Sequence, residues 1–172
     1  MHAMKRLLTH LFALWCAVTL FGAPVAAHAQ PVTVNANVKV NIKKPLVITS
    51  VQDLEFGNVI LPSTPGSFTI TMAQDGTLTC PAAVTCSGLS QPAIYNLTGS
   101  HKQVADVQVA DFDMVNPITG DAIRFYPDAP SVVNLPNSGN KGADFNIGGS
   151  FTVPATAEGA YEGTITVIAD YQ

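Results

Sequence analysis

Residues 31–42, PVTVNANVKVNI, alternate apolar and polar along almost their whole length. In an extended chain Val32, Val34, Ala36, Val38, Val40 and Ile42 fall on one side. Thr33, Asn35, Asn37, Lys39 and Asn41 fall on the other. A period of two is the mark of a half-buried β-strand. A strand of this kind needs a sheet edge, either in its own subunit or in a neighbour. The pattern fits both, and the second would make the chain a building block of a fibre.

What precedes the tract reads as an export signal. Lys5 and Arg6 form a basic start, residues 11–22 an apolar run, and Ala27-His28-Ala29 a small-x-small cleavage motif. The apolar run is too short to span a bilayer. This places a signal peptide at 1–29 and the start of the mature chain at Gln30. The remaining 143 of 172 residues suit one domain. All 12 acidic residues but only six of the eight basic ones follow residue 29, giving a formal charge of −6. That balance argues against a nucleic-acid partner. No basic amphipathic stretch suggests a lipid surface. Cys80 and Cys86 are the cysteines left after cleavage, and in an exported chain an even pair reads as a disulfide.

Nearly everything else reads as strand and turn. Strands are expected over 46–51, 54–60, 67–72, 77–80, 93–97, 104–109, 123–126, 145–153 and 163–171, with a short continuation at Thr85-Cys86. Pro62, Pro65 and Gly66, Asp75-Gly76, Asn116-Pro117 and residues 137–140 supply turns. No helix of useful length emerges, since Pro154 and Gly159 confine the best match, residues 155–158. Short strands at this spacing point to an all-β antiparallel sandwich. On the last expected strand Ile165, Val167, Ala169 and Tyr171 share a face, and no strand follows them. In an immunoglobulin-like sandwich, a missing final strand would leave a groove lined by core residues. The opening tract is the kind of strand such a groove needs. The expected organisation is a signal peptide at 1–29, an N-terminal extension and candidate donor strand at 30–44, and a β-sandwich domain at 45–172.

Chemistry-bearing constellations are sparse. A hydrolytic triad needs a base beside a nucleophile, and His101, the one histidine after residue 29, sits in a Gly-Ser turn beside Lys102. Asp111, Asp113 and Asn116 offer oxygens to a calcium ion but fail EF-hand spacing. Tyr95, Phe112, Phe125 and Tyr126 read as core or sheet-surface aromatics before they read as a sugar platform. Gly148-Gly149 precedes a strand and is no phosphate loop. Asn96-Leu97-Thr98 matches a glycosylation sequon. The expectation is no enzyme, no metal and no cofactor.

Several landmarks bracket the mature chain: Asp53-Leu54-x-Phe56-Gly57, Gly148-Gly149, Val153-Pro154-Ala155, Gly159-x-Tyr161-x-Gly163-Thr164 and Tyr171. On these the chain resembles bacterial secreted proteins of domain-of-unknown-function family 4402. More loosely, it is similar to chaperone–usher pilins, especially the spore-coat-U-like branch. That resemblance implies an incomplete, immunoglobulin-like, pilin-like antiparallel sandwich. It also implies a periplasmic chaperone that lends a strand, an outer-membrane usher, and replacement of the lent strand by the next subunit's N-terminal extension. The donor would be Val32, Val34, Ala36, Val38, Val40 and Ile42; the acceptor groove would include Ile165, Val167, Ala169 and Tyr171. The chain would then pass through the periplasm to a fimbrium or the cell surface. The close spacing of Cys80 and Cys86 departs from pilins, which staple strands far apart. The alternative function is a secreted adhesin or binding module, with carbohydrate as the candidate ligand.

Overall fold

The computed structural model describes residues 31–137 and 140–172. The expected signal peptide lies outside the described residues. The chain divides into two units, 1–40 and 41–172. In the first, residues 31–40 are exposed and in no strand. The second is all-β.

Its strands are β1 (Val47–Gln52), β2 (Asn58–Ile60), β3 (Ser67–Met72), β4 (Leu78–Thr79), β5 (Thr85–Ser87), β6 (Ala93–Thr98), β7 (Val104–Val109), β8 (Phe112–Val115), β9 (Ala122–Asp128), β10 (Val132–Asn134), β11 (Ala143–Pro154) and β12 (Val167–Tyr171). Every ladder is antiparallel. The larger sheet runs β1-β6-β11-β3-β4, and β9 joins β11 with β8 beyond it. A second sheet runs β10-β7-β12, and β2 pairs β5 separately. Among the described residues no helix is long and apolar enough to cross a membrane.

Alternation decides which side chains face inward. In β3, Ile70 and Met72 are buried while Thr69 and Thr71 are exposed. In β7, Ala105 and Val107 are buried and Gln108 is exposed. Two apolar clusters result. One lies between the sheets and holds Ala93, Leu97, Ala105, Val107, Val133, Leu135, Phe145 and Ile147. The other holds Ile70, Ile123, Phe125, Phe151 and Val153. Sheets facing each other across the first cluster make an all-β fold consistent with an incomplete β-sandwich.

β11 serves both clusters because its partners change midway. It pairs β6 through Ala143–Ile147, then β9 and β3 from Gly148 or Gly149 onward. Gly148-Gly149 is the changeover. A Cβ on Gly148 would overlap the Met72 carbonyl oxygen, and Gly149, at φ 152°, would drive one into the Phe125 ring. Only glycine lets the strands close here.

Some expected elements differ. Residues 54–60 do not form one strand: Gly57 sits at φ 70° and breaks the run, leaving a bridge at Glu55 and the short β2. The last strand begins at Val167, and residues 163–166 lie in no strand. β8 and β10 lie where no strand was expected. Cys80 and Cys86 form the disulfide, tying the residue after β4 to β5. Asp75 turns the chain between β3 and β4. Its carboxylate accepts the Thr77 N–H at 2.8 Å, and that bond holds its carboxyl below the usual aspartate range.

Candidate functional site

β12 is an end strand of its sheet, and among the described residues it pairs only with β7. Its register sets Val167 opposite Val109, Ala169 opposite Val107 and Tyr171 opposite Ala105. The partners Ala105 and Val107 are buried, so Val167, Ala169 and Tyr171 point inward with them. Ile168 and Asp170 point outward and are exposed.

The direction of the main chain follows from two further bonds. Gln172 N–H donates to the Val104 carbonyl at 3.1 Å, and Val107 N–H donates away, to the Ser131 carbonyl at 2.9 Å. In an antiparallel ladder, main-chain groups alternate sides residue by residue. Ile168, Asp170 and Gln172 therefore face β7. The N–H and C=O groups of Val167, Ala169 and Tyr171 face the outer edge, where no described strand meets them. The same three residues thus offer a row of main-chain groups outward and an apolar row inward.

The opposite margin is β1, the end strand of the larger sheet, paired only with β6. Leu46, Ile48 and Leu54 from this side pack against the first cluster, as do Ile165, Val167, Ala169 and Tyr171 from the other. All seven are half-buried. The two margins meet at one end: Tyr171 Oη donates to the Lys44 carbonyl at 2.7 Å and accepts from Ser100 N–H at 2.6 Å.

The expected donor residues stand apart from any ladder. Val32 is 88% exposed, Val38 93% and Ile42 89%, and residues 31–46 lie in no strand.

The other candidates are structural. Asn116 is buried at 3% exposure and fully engaged: Oδ1 accepts from Ile118 and Thr119 N–H, and Nδ2 donates to the Glu158 carbonyl. Its oxygen organises the β8–β9 turn and is not free for a cation. Asp113 pairs with Arg124 at 3.2 Å. His101 is exposed in the β6–β7 loop. Phe125 is core, with Phe56 edge-on at 5.9 Å and Phe112 at 5.1 Å. Tyr95 stacks on Phe145, and burial, with Asp53 nearby, raises its phenol pKa. Asn96 of the sequon donates to Asp144 at 2.6 Å on a strand paired on both sides. Pattern reading gave the inward face of the last strand and the expectation that none follows it; the structure adds its register on β7.

The fold is an all-β antiparallel module consistent with an incomplete β-sandwich of the pilin-like or adhesin-like kind. The chain belongs to the family described as Domain of unknown function (DUF4402), whose model matches residues 46–171. No curated protein and no solved structure matches it.

Proposed function

We propose that this protein is a structural subunit of a bacterial surface fibre, assembled by strand exchange. The tract Val32, Val34, Ala36, Val38, Val40 and Ile42 of one subunit lies along β12 of the next. The observation that carries this reading is the pairing of two deficits in one chain. β12 has an unmatched edge above a half-buried apolar row, and the alternating tract has neither ladder nor burial.

β-augmentation joins main-chain bonding at the edge to side-chain insertion at every second residue. Four Val and one Ile, each worth roughly 1.5–3 kcal/mol when fully buried, give on the order of 10 kcal/mol before ordering costs. That is enough for a long-lived joint. Two antiparallel sheets, β1-β6-β11-β3-β4 with β9 also on β11, and β10-β7-β12, support an immunoglobulin-like reading in which a neighbour's strand lies beside β12. On this reading the chain is exported, a periplasmic chaperone and an outer-membrane usher handle the open edge, and no catalysis is assigned.

The test deletes Gln30–Ile42 from the mature protein. The full chain should form a ladder of oligomers that survives mild denaturant. The deletion variant should stay monomeric, unfold cooperatively, and gain thermal stability when a peptide of residues 31–43 is added. Polymerisation of the deletion variant would rule out this donor. Glycan binding by a monomer that never polymerises would favour the adhesin function.

A further inference from the structure

The margin where β12 meets the start of the body carries contacts that strand exchange does not require. Tyr171 uses its hydroxyl fully, accepting from Ser100 N–H and donating to the Lys44 carbonyl. The Lys43 ammonium stands 4.7 Å from the centroid of the same ring and donates to the main-chain oxygen of Gln172 at 3.3 Å. Lys44 N–H donates to Ser100 Oγ at 2.6 Å. One phenol therefore joins the residues before β1, the β6–β7 turn and the end of β12. Gly99 makes the approach possible, since a Cβ there would fall 2.5 Å from Tyr171 Oη and 2.8 Å from Leu46 Cδ2. No ladder holds Lys43 or Lys44, and both are exposed.

We infer that Tyr171 is a latch that fixes the root of the N-terminal extension, Lys43–Lys44, to the end of the edge strand β12. Its role in a fibre rests on the strand-exchange reading. A strand laid along β12 packs beside Tyr171 and orders its ring, and an ordered ring holds the root. A subunit whose edge is filled then presents its own extension from a fixed point, which makes the joints stiff. Tyr171 is a positioning residue here, acting through Lys43 and Lys44.

Trypsin reads the latch directly. It cuts after lysine but not before proline, so Lys44-Pro45 is refractory while Lys43-Lys44 and Lys39-Val40 are substrates. Lys39 lies in the exposed tract and serves as the internal reference. In the monomeric fraction of the mature protein, where the tract holding Lys39 is exposed, the Lys43-Lys44 bond should be cut at least about tenfold more slowly than Lys39-Val40, as two hydrogen bonds of ordinary strength allow. Tyr171→Phe keeps the ring and removes both bonds. It should raise cutting after Lys43 about tenfold and leave cutting after Lys39 unchanged. Lys43→Arg keeps a cation over the ring and should stay protected. Equal cutting of Lys43-Lys44 in the unmutated protein and in Tyr171→Phe would overturn the latch. Hydrogen exchange on the unmutated protein tests it without a variant: the Ser100 amide should exchange more slowly than that of His101, and equal rates would overturn it. Tyr171→Phe fibres should bend more freely, and unchanged stiffness would overturn the coupling. Absence of fibres from both proteins would sink the strand-exchange reading, while the cleavage ratio would still decide the latch.

Discussion

The two apolar clusters of this fold are built from the same residue types but finished differently. Around Phe125 the packing is closed. Ile70 and Phe125 are fully buried, Phe56 meets both Phe125 and Phe151 edge-on, and β11 is covered on one side by β3 and on the other by β9. Around β12 the packing stops at a margin. Ile147 and Leu97 are fully buried in the middle of that cluster, yet Ile48, Ile165, Val167, Ala169 and Tyr171 at its rim are only half-buried. At that margin β12 keeps a half-buried apolar row beneath an edge that no described strand covers.

The largest expected effects test the closed half. Phe125→Ala removes the ring on which Phe56 and Phe112 rest and should cost about 3–5 kcal/mol of unfolding free energy. Urea titration followed by circular dichroism measures it. A loss as small as that of a rim residue would erase the distinction between the halves. Asn116→Ala should cost about 1–3 kcal/mol, because it strips the Ile118 and Thr119 amides and the Glu158 carbonyl of a buried partner. The same titration applies, and an unchanged midpoint would show that water replaces the amide freely. Replacing Cys80 and Cys86 together by Ser should cost about 2 kcal/mol, since the bridge closes a short loop. A comparison of reduced and oxidised protein by calorimetry would check that value independently.

Strands of both clusters were legible in the sequence. Residues 67–72 and 104–109 alternate cleanly, 93–97 reads as a short apolar strand, and β3, β7 and β6 fall on them to within a residue. β11 extends only slightly beyond the expected 145–153. What escaped has physical causes. β8 is four residues long, and its outward positions are Asp113, paired to Arg124, and Val115, so its alternation is short and broken. β10 has three residues, too few to show a period. Gly57 adopts φ 70°, a conformation that no propensity count reveals, and it splits what looked like one strand. Gly148-Gly149 was recognisable as a motif, but its reason, strands closing on both sides of β11, is a matter of tertiary contact. The inward face of the last strand was legible from its period. That no strand would follow it was also expected; its pairing with β7 was not legible, because the identity of a strand's neighbours depends on the topology of the whole sheet.

The smallest effects sharpen the comparison within a single strand. Val167 and Ile168 are adjacent, both aliphatic, and differ only in which way β12 turns them. Val167→Ala removes two methyl groups from a side chain that is already half in water, so the isolated body should lose no more than about 1 kcal/mol. If the rim is an acceptor for a neighbour's strand, the same change should weaken the joint by a similar amount, read as roughly five-fold faster exchange of labelled subunits between oligomers. Ile168 points outward at 56% exposure. Ile168→Ala should leave both the unfolding midpoint and the exchange rate within about 0.5 kcal/mol of the unmutated protein, as expected for a surface position without partners. A joint weakened equally by both substitutions would mean that contact runs over the outer face of the sheet and not through the edge and the row beneath it. A joint sensitive to Val167 alone assigns the interface to the side of β12 that the fold leaves unfinished.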